Sequence, residues 1–325
     1  MLISSLRFRR RLQPSKIRGS RNRYILLAWP PEFRIFRTTN DVPDTPQGFP
    51  DCFHSRGYNG TNNLKKNMST IIFPSPIFGP VHSRRLGISL GINVCPGDGK
   101  ICSFDCIYCE IGFNADTRPH QKMPSRGLIR TMLREKLEEM KAEGKLPDTL
   151  TFSGNGEPTG HPEFSEIVDD VLKLRDEYCP KAKVSVLTNA FLITRQPIFD
   201  ALLKVDNAEL KLDTVDEEYI ERVDRPNAAL HLDKILEAME RFGNRAIIQT
   251  MFLHGSFDGK RVDNVDEKYV GPWLDAVEKI GPRLVTIYTI DRDTPAHDLQ
   301  KATHEELDAI AERVRARGLT CQVSY

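Results

Sequence analysis

Short apolar runs of strand length alternate with amphipathic runs of helix length from residue 88 to the end of the chain. Several of these runs, such as AIIQTMF and LVTIYTI, are apolar on both faces, which is typical of strands in a parallel sheet covered by helices. The predicted strands are Ile88–Val94, Thr149–Phe152, Lys183–Leu187, Ala208–Leu212, Ala246–Phe252, Leu284–Thr289 and Leu319–Ser324. The repeated strand and helix units predict a parallel α/β domain, built as a partial or full barrel or as a doubly wound sheet.

The helical runs between these strands have recognisable ends. Some are followed by a glycine, which commonly stops a helix, and others begin at a proline or at a capping box. The predicted helices are Leu128–Glu143, Pro162–Tyr178, Leu232–Phe242, Asp266–Ile280 and the run that the Thr303-x-x-Glu306 box opens and Gly318 ends.

The first 67 residues differ from the rest in charge and pattern. They carry 13 Lys and Arg against 4 Asp and Glu, whereas the remaining residues carry 33 against 41. No helical or strand period is sustained in this segment, so it buries too little apolar surface to offset its chain entropy. Residues 1–67 are therefore expected to be a disordered arm, a mis-assigned start with translation beginning at Met68, or an organelle presequence. Residues 68–325 are expected to form one domain.

Composition narrows the functional class. No run of about 18 apolar residues is present, which argues against a membrane span. The seven cysteines are odd in number and three stand within eight residues, which favours a thiolate metal site in a reducing compartment over a disulfide scaffold. We therefore expect a cytoplasmic protein. The mildly acidic body is compatible with an RNA substrate but does not indicate one.

The chemistry is concentrated at Cys102, Cys106 and Cys109, which stand at the spacing C-x3-C-x2-C. Thiolates at this spacing can converge on one metal centre, and they select iron–sulfur clusters, zinc or cuprous ions. A structural zinc site usually takes four ligands from two C-x2-C pairs, and only one such pair is present. Cys95 is the one nearby thiol that could serve as a fourth ligand, and we expect that it does not bind the metal.

The stretch GPVHSRRLGISLGINVCPGDGKICSFDCIYCEIG resembles the radical S-adenosylmethionine (SAM) superfamily, in the branch of the wyosine-base-forming Fe–S oxidoreductases. The likeness extends over about Phe78 to Tyr325. It implies a partial (β/α)6 TIM-like barrel with the cysteine loop after the first strand. It also implies that the three cysteines bind a 4Fe–4S cluster whose open iron takes SAM. One electron then cleaves SAM to a 5′-deoxyadenosyl radical, which abstracts hydrogen from an unidentified substrate.

Further motifs follow the predicted strands in the order that this resemblance implies. The second strand is followed by SGNGEPT, in which Glu157 is an acid at the barrel mouth suited to holding the SAM ammonium. After the fourth strand, Lys211 and Asp213 share one face. The lysine is suited to the SAM carboxylate, and the aspartate to the ribose, to substrate or to a helix cap. The cofactor-binding residues implied are Tyr108, Gly154, Gly156, Glu157, Asn189, Lys211 and Asp213.

The substrate is left open by the sequence. The wyosine-forming enzymes carry a second cysteine trio upstream, where this chain has only Cys52 and Cys95, so a second cluster is not expected. The alternatives are an Fe–S protein that transfers electrons or binds a partner without SAM turnover, a wyosine-type enzyme acting on tRNA bases, and a zinc module. Since no ferredoxin-like cysteine set follows the barrel, an external flavodoxin or ferredoxin is expected to supply the electron.

Overall fold

Eight strands form the main sheet of the structure, a computed structural model that describes residues 71–83 and 86–325. The strand order is β1 (Ile77–Ser83), β2 (Gly87–Ile92), β3 (Thr149–Phe152), β4 (Lys183–Thr188), β5 (Asn207–Lys211), β6 (Ala246–Met251), β9 (Leu284–Tyr288) and β11 (Cys321–Ser324). β1 is antiparallel to β2, and all other neighbours are parallel. A small antiparallel sheet has the order β10 (Leu299–Lys301), β7 (Leu253–Phe257) and β8 (Lys260–Arg261).

Helices connect the parallel strands. They are α1 (Arg126–Ala142), α2 (Phe164–Tyr178), α3 (Gln196–Lys204), α4 (Glu217–Tyr219) with the π-helical turn Ile220–Asp224, α5 (Leu232–Phe242), α6 (Glu267–Ile280) and α7 (His304–Ala316). Six strand–helix units, from β2–α1 to β9–α7, thus precede β11. This order confirms the predicted parallel α/β fold. Among these helices, none is long and apolar enough to cross a membrane.

The chain divides into two units, Met1–Asn63 and Leu64–Tyr325. The arm predicted over residues 1–67 lies outside the described residues. Its boundary with the folded domain therefore stays a prediction.

Local sequence explains how the helices begin and end. The Ser125 side chain accepts a hydrogen bond from the backbone of Leu128 and caps α1, and Thr303 and Glu306 form the predicted capping box of α7. Gly281 ends α6 in the left-handed conformation that glycine adopts without strain.

The two faces of the main sheet differ in character because successive side chains of a strand point to opposite sides. One face packs against the helices through a fully buried apolar layer: Leu90, Ile92, Leu150, Phe152, Val184, Val186, Leu210, Ile248, Val285 and Ile287. The alternate positions are largely polar: Ser89, Thr149, Thr151, Ser185, Glu209, Lys211, Gln249 and Thr286. The sheet therefore presents a largely polar inner face. β6 and β9, which their sequences predict to be apolar on both faces, are the exception, because Ile247, Met251 and Leu284 lie at inward positions beside Gln249 and Thr286.

The polar face is wrapped around a cavity of about 650 Å3. Phe78 of β1 and Ser324 of β11 both line it, although these strands stand at opposite ends of the strand order. In a flat sheet, seven spacings of about 4.8 Å would separate the two strands by roughly 34 Å. The sheet must therefore curl into a barrel. Within the described residues no ladder joins β1 to β11, so this barrel is partial.

Candidate functional site

The cysteine loop leaves the carboxyl end of β2 and is held by the π-helical turn that follows β5. The backbone N–H of Asp105 donates to the carbonyl oxygens of Asp224 and Arg225 at 3.0 and 3.1 Å, and that of Ile107 donates to Val223 at 2.9 Å. A loop fixed by backbone bonds to a distant segment presents its side chains in one arrangement, which a multi-thiolate site requires.

The three predicted metal ligands lie in this loop with different exposure. Cys106 is buried, whereas Cys102 and Cys109 are half-buried. Within residues 71–83 and 86–325, no three His, Cys, Asp or Glu side chains are grouped closely enough to hold a single ion. A 4Fe–4S cluster binds each thiolate through a different iron, so its ligands need not meet at one point. Three thiolates from one loop are a donor set that fits a 4Fe–4S cluster with one open iron.

Burial makes the thiols of Cys102 and Cys106 poor acids in the absence of a metal. Burial raises the pKa of Cys106 well above its ordinary value. Burial, together with the nearby Glu157 carboxylate, raises the pKa of Cys102 to about 12. The thiolate form that ligates metal must therefore be generated by the metal itself, with release of protons.

A buried lysine that the sequence analysis did not single out lies beside the loop. The side chain of Lys100 is 1% exposed, and its ammonium donates to the carbonyl oxygen of Gly112 at 2.7 Å and lies 3.4 Å from Asp105 Oδ1. Burial lowers the pKa of Lys100, but the three cysteines and Asp105 raise it above its ordinary value. Lys100 is therefore a fixed positive charge next to the candidate ligands.

The glycines of the SGNGEPT turn bring it against the cysteine loop. Gly154 and Gly156 have φ values of +133° and +143°, which side chains rarely adopt. A Cβ on Gly156 would stand 1.7 Å from the carbonyl oxygen of Ile101. The N–H of Glu157 donates to the same oxygen at 3.1 Å. The glycines thus have a clear packing role, and the cofactor contacts implied for them stay predictions.

The Glu157 carboxylate is buried and heavily hydrogen-bonded. Its Oε1 accepts from the N–H and hydroxyl of Thr159 at 3.0 and 2.6 Å and from the hydroxyl of Thr188 at 2.6 Å. Its Oε2 accepts one bond, from the N–H of Asn189 at 2.7 Å. Burial raises the pKa of Glu157, and these donors partly offset the rise. Since Glu157 lines the cavity, Oε2 is the oxygen with capacity for a further donor.

Asn189 ties the end of β4 to the cysteine loop. Its side-chain amide donates to the Ser103 hydroxyl at 2.9 Å and lies 3.7 Å from the sulfur of Cys102. The next residue, Ala190, has a φ of +61°, in the left-handed region that favours glycine.

Lys211 and Asp213 meet, as their shared face predicted, in a buried network with Tyr108. The ammonium of Lys211 lies 2.9 Å from Asp213 Oδ2 and 2.6 Å from Asp224 Oδ1. The Tyr108 hydroxyl donates to Asp213 and lies 3.3 Å from Asp224. Burial raises the pKa of Asp224 to about 6, against the opposing effect of Lys211. The network anchors the cysteine loop to β5 through Tyr108. Asp224 was not predicted as a site residue, because no motif in the chain marks it.

The cavity inside the barrel brings several predicted residues together. Its lining includes six of them: Cys102, Gly154, Gly156, Glu157, Asn189 and Lys211. The other predicted residues, Cys106, Cys109, Tyr108 and Asp213, do not line it. The lining also includes Gln249, Met251, Tyr288 and Arg292, of which Met251 and Tyr288 pack in one cluster with Cys106 and Tyr108.

Comparison with protein families identifies the scaffold. The model of the Radical SAM superfamily matches residues 98–267, which is just over half of the chain. The chain belongs to the radical SAM superfamily. The resemblance of the cysteine motif to this superfamily is therefore confirmed. The residues that the family model matches include every predicted site residue.

Two UPF0026 proteins are among the curated relatives of this radical SAM chain. The UPF0026 protein MJ1312 of Methanocaldococcus jannaschii is 38% identical over 181 residues, which is 54% of this chain and 53% of that protein. A UPF0026 protein of Helicobacter pylori is 29% identical over 238 residues, 72% of each chain. This chain thus spans about half the length of the first of these relatives.

Solved structures share the fold at low sequence identity. A radical SAM methyltransferase from Sphaerobacter thermophilus aligns with a TM-score of 0.54 at 14% identity, covering 73% of this chain and 66% of its own. SuiB of Streptococcus suis, bound to S-adenosylmethionine, aligns with a TM-score of 0.52 at 13% identity, covering 72% and 50%. These likenesses concern the fold alone.

Proposed function

We propose that this chain is a radical SAM enzyme that holds a 4Fe–4S cluster with Cys102, Cys106 and Cys109 and binds SAM in the barrel cavity. When bound, the cluster supplies the electron that cleaves SAM to methionine and a 5′-deoxyadenosyl radical, which takes a hydrogen atom from the substrate. One observation carries the proposal: Cys102 of the three-thiol loop and the Glu157 carboxylate line the same cavity.

Glu157 is the residue that we assign to the SAM ammonium. Its Oε2 has capacity for a further donor, and burial strengthens a charge-assisted bond there. Asn189 fixes this oxygen through its backbone N–H and reaches the cysteine loop through its side chain. The two residues together would orient SAM relative to the cluster.

Lys211 and Asp213 are candidates for binding the SAM carboxylate and ribose, but their ion pairs indicate a structural role. The Lys211 charge is shared by two buried carboxylates, so little of it remains for a third. We infer that both residues act chiefly by holding Tyr108, and through it the cysteine loop, in place.

The substrate that we propose is polar. The inner face of the barrel carries hydroxyl and amide groups in place of the branched apolar layers that fill a closed barrel. Gln249 is half-buried within an otherwise buried strand and lines the cavity. A carboxamide at that position offers a donor and an acceptor to a substrate.

The partner proposed is an external one-electron donor of flavodoxin or ferredoxin type, in the reducing cytoplasm. Two further cysteines follow the loop in sequence. Cys179 lies at the C-terminal end of α2, and Cys321 lies in β11. They do not form the clustered set that a second electron-carrying centre requires.

The test is SAM cleavage by the reconstituted protein. Cluster-loaded protein is reduced anaerobically with SAM, and 5′-deoxyadenosine is measured by mass spectrometry. The expected result is its formation by the wild type and by Cys321→Ala, with none from Cys106→Ala. A reduced, cluster-loaded wild type that forms no 5′-deoxyadenosine supports the alternative of an Fe–S protein without SAM turnover.

A further inference from the structure

The ammonium of Lys100 lies within the cysteine loop. Lys100 precedes Cys102 by two residues, and its side chain reaches the carbonyl oxygen of Gly112, three residues beyond Cys109, at 2.7 Å. The side chain thus spans the loop from its beginning to its end. At 1% exposure it has no contact with bulk water.

Surrounding contacts fix this charge in place. The Lys100 N–H donates to the carbonyl oxygen of Thr117 at 2.7 Å. The preceding residue, Gly99, packs so closely that a Cβ there would stand 2.2 Å from the same oxygen. Asp105, the acidic neighbour, accepts from the backbone of Asn114 at 2.7 Å. Neither the ammonium nor its neighbour can turn towards solvent without breaking these contacts.

A hydrogen bond and a neighbouring carboxylate stabilise the charge of this buried lysine. Burial of an ammonium is unfavourable unless negative charge lies nearby. The ammonium donates to the carbonyl oxygen of Gly112 at 2.7 Å and lies 3.4 Å from Asp105 Oδ1. Asp105 also lies 3.9 Å from Arg225, which shares its charge. Because Arg225 shares the Asp105 carboxylate, the charge of Lys100 is only partly neutralised and can act on a cluster held by the loop.

Reduction of a cluster at this site adds one negative charge and neither forms nor breaks a bond. A fixed cation inside the loop is attracted more strongly to the reduced than to the oxidised cluster, and low solvent access preserves the difference. The acidic network of Lys211, Asp213 and Asp224 carries one net negative charge near Cys106 and acts in the opposite direction.

We propose that Lys100 raises the reduction potential of the cluster, so that an external one-electron donor can reduce it. This inference rests on the proposed function only in requiring a cluster on the three cysteines. It does not depend on SAM cleavage or on the substrate.

The test is a mediated redox titration of cluster-loaded protein, with the reduced cluster followed by electron paramagnetic resonance. Lys100→Met keeps an unbranched chain and removes the charge. We expect at least a tenfold loss in the equilibrium constant for reduction, a shift of about 59 mV to more negative potential. Lys100→Arg keeps the charge and should return the potential towards that of the wild type.

Asp105→Asn removes a negative charge next to Lys100 and should shift the potential in the opposite direction to Lys100→Met. It keeps the oxygen that accepts from Asn114, and the potential should move to more positive values. If Lys100→Met loads no cluster, Lys100→Gln decides, because it removes the same charge and keeps a group that can donate to the carbonyl oxygen of Gly112. Loaded variants with an unchanged potential overturn the inference and leave the proposed function standing. A wild type that binds no cluster overturns both, and a shifted potential without SAM cleavage overturns the proposed function alone.

Discussion

Replacing Glu157 with glutamine tests the assignment of the SAM-binding carboxylate. The wild-type group accepts three hydrogen bonds on Oε1 and one on Oε2. Glutamine has one oxygen and an NH2 group that only donates. The oxygen should take the place of Oε1, because three donors converge there. The NH2 group then faces the N–H of Asn189 and the position that we assign to the SAM ammonium.

The magnitude follows from the bonds that are lost. A charge-assisted hydrogen bond contributes about 1.5–3 kcal/mol, and about 1.4 kcal/mol corresponds to a factor of ten in affinity. Glu157→Gln should therefore weaken SAM binding by roughly 10- to 100-fold. The unpaired Asn189 N–H should also lower the free energy of unfolding by about 1–3 kcal/mol. The cluster should be retained, because Glu157 is not one of its ligands.

The assay pairs anaerobic titration calorimetry for SAM with iron and sulfide content for the cluster. Glu163→Gln is the control, because Glu163 is exposed and its side chain makes no capping hydrogen bond. It should leave SAM affinity unchanged. If Glu157→Gln binds SAM as tightly as the wild type with its cluster intact, then Glu157 serves only the turn, and SAM binds elsewhere.

Alanine in place of any of the three loop cysteines should remove most of the iron, whereas Cys321→Ala should retain it. The measurement is iron and sulfide content per chain, and full iron content in a loop variant would refute the ligand assignment. Gly156→Ala should disrupt the loop and lower cluster loading, because its Cβ would meet the oxygen of Ile101 at 1.7 Å, whereas nothing lies within 4 Å of a Cβ on Gly160. Equal loading of the Gly156→Ala and Gly160→Ala variants contradicts this. Because burial raises the pKa of Asp224 to about 6 from 3.8, the native protein should lose stability relative to Asp224→Asn as the pH rises from 3.8 to about 6. The melting temperatures of both proteins are measured across this pH range. A difference that stays constant would contradict the raised pKa of Asp224.

The parallel strands and long helices were predictable because their signals are local. Apolar runs of strand length and the glycines and caps of the helices mark each unit without reference to the rest of the chain. β1 was missed because Gly79 and Pro80 interrupt its alternation, at the place where its pairing with β2 shifts register. α3 is only nine residues long, and β7 follows β6 after the single residue Phe252, so neither has a separate signal.

The candidate site was predictable where a motif carries it. The cysteine spacing and the turn around Glu157 depend on short stretches whose chemistry is visible in the sequence. Lys100 and Asp224 are single charged residues, and their importance comes from burial by segments distant in sequence. The balance of charge around Lys211 also depends on Asp224, which the π-helical turn brings to it. Such contacts are set by the tertiary fold and leave no pattern in the chain.

The measurement that tests the account most directly is the electron paramagnetic resonance spectrum of the reduced cluster with and without SAM. In the proposed site the three loop cysteines leave one iron open and Glu157 places SAM against it. Saturating SAM should therefore change the spectrum of the wild-type protein, and Glu157→Gln should need a higher SAM concentration for the same change. A wild-type spectrum that is identical with and without saturating SAM would contradict this proposal.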